Sequence, residues 1–376
     1  MKIAIDARGV NLYNGTGIGT YTENVLKNMI DIDDMNNYHI FWSGNNYESI
    51  KKDNCKIVMT SKRHQRFFED YYFPENISKE NIDIYHMPQN GIGFNQDIYC
   101  KKIVTIHDLI PYVMPETVGR GYLLKFLKEM PIIIGNSHGI ITVSEFSKRD
   151  ILKFFPIDEK KIFVTHLAAD KKYKPLDKIY CKNFLETAYN LINPFILYLG
   201  GFSERKNVAS AITAFSKVYK DLSENYNLVL VGDYKDPSQS LVKLAKELKI
   251  ESHVIFIGFV PEEHLPIFYN CCDTFIYPSF YEGFGLPPLE AMNCGTPVIA
   301  SNLTSIPEVV GDGGILIDPY DINEMSLAIG NLLSDQNLRA ELSSKALIRA
   351  KEFSWQNTAR DTLNVYESVY NSESPS

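Results

Sequence analysis

Short apolar runs alternate with longer segments of helical period along almost the whole chain, and this pattern limits the fold more than any other feature. Lys2–Asp6, His39–Ser43, Ile82–Met87, Ile103–His107 and Ile140–Val143 form one set of runs. Phe195–Leu199, Leu228–Val231, Val254–Ile257, Thr274–Tyr277 and Val298–Ala300 form a second. Strands that are apolar throughout, with helices between them, build parallel sheets covered on both faces. At 376 residues the chain exceeds the size at which one core stops growing, so two α/β domains are expected. The polar, proline-bearing stretch Asp170–Asn193 separates the two sets. The domains are therefore placed at residues 1–172 and 173–352. A terminal helix and polar tail follow at 353–376, the helix having apolar residues at Trp355, Ala359, Leu363, Tyr366 and Val369.

Composition narrows the class. A net charge of −8 argues against broad nucleic-acid binding. The six cysteines form no Cys-x-x-Cys pair and no zinc-spaced Cys/His cluster, which suits reduced thiols in the cytoplasm. Cys271-Cys272 is read as buried at a helix-to-strand junction. The chain enters a strand at Lys2 without a signal peptide, and no apolar run approaches the ~18 residues of a membrane span.

The stretch most suited to chemistry is Tyr277-Pro-Ser-Phe-Tyr-Glu-Gly-Phe-Gly-Leu-Pro-Pro-Leu-Glu-Ala-Met292. A glycine-bearing loop here joins the end of a strand to the start of a helix, where open α/β sheets bind ligands. Helix-start amides and the dipole suit a phosphate, whereas Glu282 and Glu290 suit sugar hydroxyls. Two glutamates with seven residues between them, in this setting, resemble the E-x7-E signature of the GT4 family of retaining glycosyltransferases.

Other segments match the same family. Leu199-Gly-Gly-Phe-Ser-Glu-Arg-Lys-Asn207 opens the second domain's first helix, and Arg205 and Lys206 there suit a diphosphate. In GT4 relatives an Arg and a Lys at this place bind the donor diphosphate. The commoner pattern sets the Arg directly after the first Gly, where this chain has Gly201. Ile106-His107-Asp108 ends a strand, and relatives carry His-Asp here with the His near the donor sugar; Asp108 is expected to brace its loop. Ser144 or Ser147 is expected to cap the helix after Val143. Gly15-Thr-Gly17-Ile-Gly19-Thr-Tyr21 lacks the third glycine of a dinucleotide fingerprint, which disfavours an oxidoreductase. It resembles the family's N-terminal glycine loop facing the donor phosphate, and a purely structural tight turn stands equally beside that reading. Asp31-Ile32-Asp33 has the form of a D-x-D metal motif but falls in a polar stretch after a helix, and is read as a solvated turn.

The resemblance implies an α/β protein of GT-B fold, two Rossmann-like domains with parallel sheets facing across a cleft. The implied reaction moves a hexosyl unit from a nucleotide-diphosphate sugar to a hydroxyl with retention of configuration, without a metal or other cofactor. His107, Glu282, Arg205 and Lys206 form the implied catalytic set. Gly17, Gly19, Gly201, Phe259, Val260, Gly283, Phe284, Gly285, Leu286 and Glu290 would bind the donor. Glu282 would hold sugar hydroxyls, Glu290 the ribose, and Phe259-Val260 the base. GDP-mannose is the expected donor, with UDP-sugars next, and the acceptor is a saccharide or lipid-linked saccharide of cell-surface polysaccharide synthesis. The basic-apolar stretches Arg120–Met130 and Lys62–Phe68 could rest peripherally on the inner face of a membrane, although such helices more often face a core. Two other classes remain. A GT-B sugar-nucleotide epimerase would convert its donor without an acceptor, and a non-catalytic binding subunit would neither hydrolyse nor transfer.

Overall fold

The computed structural model describes residues 1–91, 93–232 and 236–372, with nothing assigned to the side chains of 236–238; the last four residues of the expected tail fall outside the described set. The chain divides into two compact units, residues 1–168 with 354–376, and residues 169–353.

The first unit holds β1 (Lys2–Asp6), β2 (Asn37–Trp42), β3 (Cys55–Met59), β4 (Ile84–Met87), β5 (Lys101–Ile106), β6 (Gly139–Thr142) and β7 (Ile162–Val164). They form one parallel sheet in the order β3-β2-β1-β4-β5-β6-β7. The order reverses between β1 and β4. All four residues of β4 and of β6 are buried, as sheets covered on both faces require. The edge strands β3 and β7 were not expected. Cys55-Lys-Ile-Val-Met59 exposes Met59 and Lys56, because an edge strand covered on one side can carry polar residues and loses the apolar signature.

The second unit holds β8 (Phe195–Leu199), β9 (Asn227–Val231), β10 (Val254–Gly258), β11 (Thr274–Tyr277), β12 (Val298–Ser301) and β13 (Gly314–Ile317), in the parallel order β10-β9-β8-β11-β12-β13. Here the reversal lies between β8 and β11. The unit begins at 169 rather than 173. Lys172 pairs with Glu262 at 2.5 Å and Tyr173 meets Tyr269 edge-on at 5.7 Å, so these residues pack with the chain that follows them.

The last helix, Trp355–Asn371, completes the first unit. It buries Trp355, Thr358, Ala359, Thr362, Val365, Tyr366 and Val369, a stripe of helical spacing that lies on the helix Gly17–Ile32 and on β6. Leu363 is only half-buried; Thr362 and Val365 take the inward places beside it. Tyr366 Oη pairs with His86 Nδ1 at 2.7 Å, and Thr358 Oγ1 donates to the His166 carbonyl. Cys272 is buried and Cys271 half-buried at the junction before β11. Among the described residues no helix is long and apolar enough to cross a membrane.

Candidate functional site

In the second unit the strand order reverses between β8 and β11, and open parallel sheets bind ligands outside the carboxyl ends of the strands at such a reversal. The loop after β8 carries Arg205 and Lys206 on a single turn, Glu204–Lys206, and the loop after β11 carries Glu282. The two loops are tied together directly. The Phe280 amide donates to the Arg205 carbonyl at 2.9 Å, and Arg205 Nη1 donates to the Tyr281 carbonyl at 2.5 Å. Asn207, left-handed at φ 55°, donates from Nδ2 to the carbonyls of Pro278 and Pro319.

Glu282 is nearly enclosed, at 9% exposed. Its Oε1 lies 2.6 Å from Lys206 Nζ and 2.9 Å from Arg205 Nη1, and accepts from Tyr277 Oη at 3.0 Å. Burial pushes the carboxyl pKa up, but the two cations outweigh it and hold the group at about 2. Glu282 is thus ionised across the physiological range and serves as an acceptor and counter-ion, not as an acid. Lys206 Nζ also donates to Tyr277 Oη at 2.7 Å and stands 5.0 Å from that ring's centre. Arg205 and Lys206 thus meet on one carboxylate oxygen, and side-chain cations brought together in this way suit an anion.

The loop that holds Glu282 is fixed from behind. The Glu282 amide donates to Thr304 Oγ1, and Ser305 Oγ sits 2.9 and 2.8 Å from the carbonyls of Glu282 and Phe284. Phe284 is buried and meets Phe353 edge-on at 5.9 Å. Gly285 caps the next helix, Leu286–Asn293, at φ 120°; a Cβ there would be strained and would press on Ile306. Pro287 and Pro288 have no N–H, so within the first three positions of that helix only Leu286 carries one.

Glu290, on the same helix, stands apart from the cation pair in its bonding. It accepts from Tyr269 Oη at 3.0 Å, with Tyr173 close by. Burial raises its pKa to about 7, against the hydrogen bond from Tyr269 and the charge of Lys172. Phe259, just past the edge strand β10, is 81% exposed, while Val260 beside it is buried. Two strand spacings, about 10 Å, separate β10 from β8. Gly201 is exposed and its carbonyl accepts from Tyr198 Oη. Gly283 is half-buried in the loop between Glu282 and Phe284.

The remaining expected residues belong to the first unit. His107 follows β5, 6% exposed; its Nε2 bonds the Pro88 carbonyl at 2.8 Å and its amide donates to Asn90 Oδ1. Burial pushes its pKa down to about 4, against that bond, so the ring is neutral with Nε2 protonated and Nδ1 an acceptor. Asp108 Oδ1 accepts the Ile110 amide, and Ser144 caps the helix Glu145–Phe154 by accepting from the Ser147 amide. Gly17 is exposed at the first position of its helix, capped by Thr16. Gly19 has a packing reason of its own: a Cβ would lie 2.3 Å from the Tyr13 carbonyl oxygen. Asp33 is not the solvated residue expected. It is buried, accepting from the Tyr38 hydroxyl, Asn36 Nδ2 and the amides of Met35 and Asn36, and so closes the turn before β2.

Sequence reasoning missed Tyr277, Asn207, Thr304 and Ser305 as parts of this site. The polar hydroxyl of Tyr277 at the end of an otherwise apolar strand was the one available signal.

The family model for glycosyl transferases group 1 matches residues 186–349, which contain all of β8 to β13. The chain is 31% identical to O-antigen chain mannosyltransferase B of Escherichia coli over 98% of its own length and 100% of that protein. It is 30% identical to the serotype-specific mannosyltransferase WbdA of Escherichia coli over 70% of this chain, which spans 33% of that longer protein. Among solved structures, HepE of Anabaena in complex with UDP and glucose superimposes with a TM-score of 0.77 at 18% identity, over 98% of this chain and 100% of that one. Sucrose-phosphate synthase of Thermosynechococcus elongatus gives the same score and identity over 98% and 99%. With an end-to-end relative above 30% identity and the family model lying on the unit that carries Arg205, Lys206 and Glu282, the chain belongs to the group 1 glycosyl transferases, glycosyltransferases of GT-B fold with two Rossmann-like domains.

Proposed function

We infer that this glycosyltransferase moves a mannosyl unit from GDP-mannose to a saccharide hydroxyl with retention of configuration, in the assembly of a cell-surface polysaccharide. The observation that carries the reading is the meeting of Arg205 and Lys206 on one oxygen of Glu282 at the strand-order reversal of the second sheet. The donor sugar follows the relatives matched over most of this chain, which are named mannosyltransferases. HepE, with UDP in its structure, keeps UDP-sugars as the second choice of donor.

As the bond from anomeric carbon to phosphate oxygen breaks, negative charge grows on the leaving diphosphate. Arg205 and Lys206 stabilise that charge, helped by the amides of Gly285 and Leu286. In this role they supply what a divalent ion would otherwise supply, so the reaction proceeds without a metal. The leaving oxygen takes the acceptor's proton on the same face, which gives retention. Glu282, always ionised, accepts from sugar hydroxyls; Glu290 accepts from the ribose; and Phe259 offers its exposed ring to the base. Neutral His107 offers Nδ1 to a sugar hydroxyl.

A thermal-shift panel of GDP, UDP and their sugars tests the donor, since a ligand bound only to the native state raises its melting temperature. GDP-mannose should give the largest shift. Proton NMR of the product tests the anomeric outcome, and undiminished turnover in EDTA tests the metal-free mechanism.

Peripheral membrane contact belongs to the same reading. The helix Arg120–Asn136 buries Phe126, Met130, Ile133 and Ile134 but leaves Tyr122, Leu124 and Leu127 exposed among Arg120, Lys125 and Lys128. Phe67 is likewise exposed beside Arg63 and Arg66. A basic face with projecting apolar side chains suits an anionic cytoplasmic leaflet. Flotation with anionic but not neutral liposomes is the expected result.

A further inference from the structure

The first sheet has its own reversal of strand order, between β1 and β4, and a buried polar cluster occupies the carboxyl ends of those two strands. Asp6 is the last residue of β1, Arg8 follows two places on, and Gln89 follows the end of β4 by two. Arg8 donates from Nε to Asp6 Oδ1 at 2.8 Å and from Nη2 to Asp6 Oδ2 at 2.6 Å, with Glu69 Oε1 3.0 Å from Nη2. Gln89 Nε2 donates to the same Asp6 Oδ2 at 2.9 Å. The Phe73 ring backs the guanidinium at 4.8 Å.

Three polar atoms of this cluster are buried with no hydrogen-bond partner: Arg8 Nη1, Gln89 Oε1 and Tyr85 Oη. Arg8 and Gln89 are 2% and 1% exposed. Buried polar groups are nearly always paired, and three orphans at one sheet reversal point to something that completes them. Their chemistry is specific. Nη1 only donates, Oε1 only accepts, and a phenol does either, so one group that paired with them would both accept and donate. A hydroxyl does both. The charge balance is one cation against the carboxylates of Asp6 and Glu69, which repels a phosphate. Glu69, 18% exposed, and half-buried Tyr13 form the solvent side of the cluster.

We propose that this cluster is a subsite for a hydroxyl of a neutral saccharide, with Arg8 Nη1 donating to that hydroxyl and Gln89 Oε1 accepting from it. It rests on the glycosyltransferase reading above, and names the first unit's share in reading an uncharged acceptor.

Saturation-transfer NMR with α-mannobiose and with its 6-phosphate tests this without any donor. The wild-type protein should bind the neutral disaccharide more tightly than its phosphate. Gln89→Met and Arg8→Lys should each weaken α-mannobiose binding about tenfold, the scale of one unpaired buried polar group. The melting-temperature rise caused by GDP should stay as in the wild type. Glu69→Gln, a change at a partly exposed position, should narrow the preference over the phosphate. Absence of α-mannobiose binding, equal binding by the variants, or tighter binding of the phosphate would each overturn the subsite. Lower melting temperatures with unchanged disaccharide binding would assign the orphans to a buried water, and overturn it too. Failure of both GDP and UDP to shift the wild-type melting temperature would instead overturn the donor reading.

Discussion

Lys206 Nζ and Glu282 Oε1 lie 2.6 Å apart although 76 residues separate them in sequence, and Arg205 shares the same carboxylate oxygen. A diphosphate that binds the two cations has to compete with this carboxylate. On the proposed reading Glu282 has two opposed effects: it weakens the hold on a bare nucleotide and strengthens the hold on a sugar.

Glu282→Gln separates these effects. The variant should melt at a lower temperature without ligand, because two half-buried cations lose the Glu282 charge they share. GDP should raise its melting temperature by more than it raises that of the wild type, and transfer from GDP-mannose should fall at least about a hundredfold, as expected when a charged hydrogen-bond acceptor to the reacting sugar is removed. A smaller GDP shift than in the wild type would show that the carboxylate does not compete.

Lys206→Met removes a charge-assisted donor worth about 1.5–3 kcal/mol. The dissociation constant for GDP-mannose should rise roughly tenfold to a hundredfold, with a further loss in kcat because charge grows on the diphosphate as the bond breaks. Isothermal titration and steady-state kinetics separate the two. Wild-type affinity would remove Lys206 from the diphosphate site.

Glu290 makes binding depend on pH. A ribose hydroxyl donates best to the ionised carboxylate, and this carboxyl titrates at about 7. Affinity for GDP-mannose, whose diphosphate does not titrate near neutrality, should therefore rise about tenfold from pH 6 to pH 8. Stability of the ligand-free protein should run the other way. The folded pKa lies above the unfolded one, so the contribution of Glu290 is full below the ordinary carboxylate range and is lost as pH rises through about 7. Glu290→Gln should flatten both profiles, measured by titration calorimetry and thermal melts.

Ser305 Oγ holds the Glu282 loop through the carbonyls of Glu282 and Phe284. Ser305→Ala should cost about 1–3 kcal/mol of stability in urea unfolding, because a buried carbonyl is left without its donor. It should also raise KM for the donor, since the Glu282 segment loosens. An unchanged urea midpoint would place the restraint elsewhere.

Much of this molecule could be read from residue order alone. The strands buried almost end to end, β8, β9 and β11 among them, stood out by their apolar runs, because a sheet covered on both faces selects for such runs. The edges β3, β7 and β13 did not: β3 carries Lys56 and β13 opens on Gly314, as a strand with one open side tolerates, and β7 is only three residues long. Asp33 shows the same limit at a single position. The polar stretch around it reads as a solvated turn, and only the approach of Tyr38 and Asn36 explains its burial.

What the sequence determined by itself was the chemical inventory and its local setting: a glycine loop after a strand, two cations before a helix, two glutamates with seven residues between them, and hence the family. These are nearest-neighbour properties of the chain. Tertiary structure decided the pairings: Lys206 and Arg205 with Glu282, Tyr277 between them, Glu290 against Tyr269, and Arg8 with Asp6 and Gln89. Apart from the Glu290–Tyr269 bond, which joins two helices, these contacts lie where the strand order of a parallel sheet reverses, and that order depends on how whole strands pack side by side, which no local window of sequence contains.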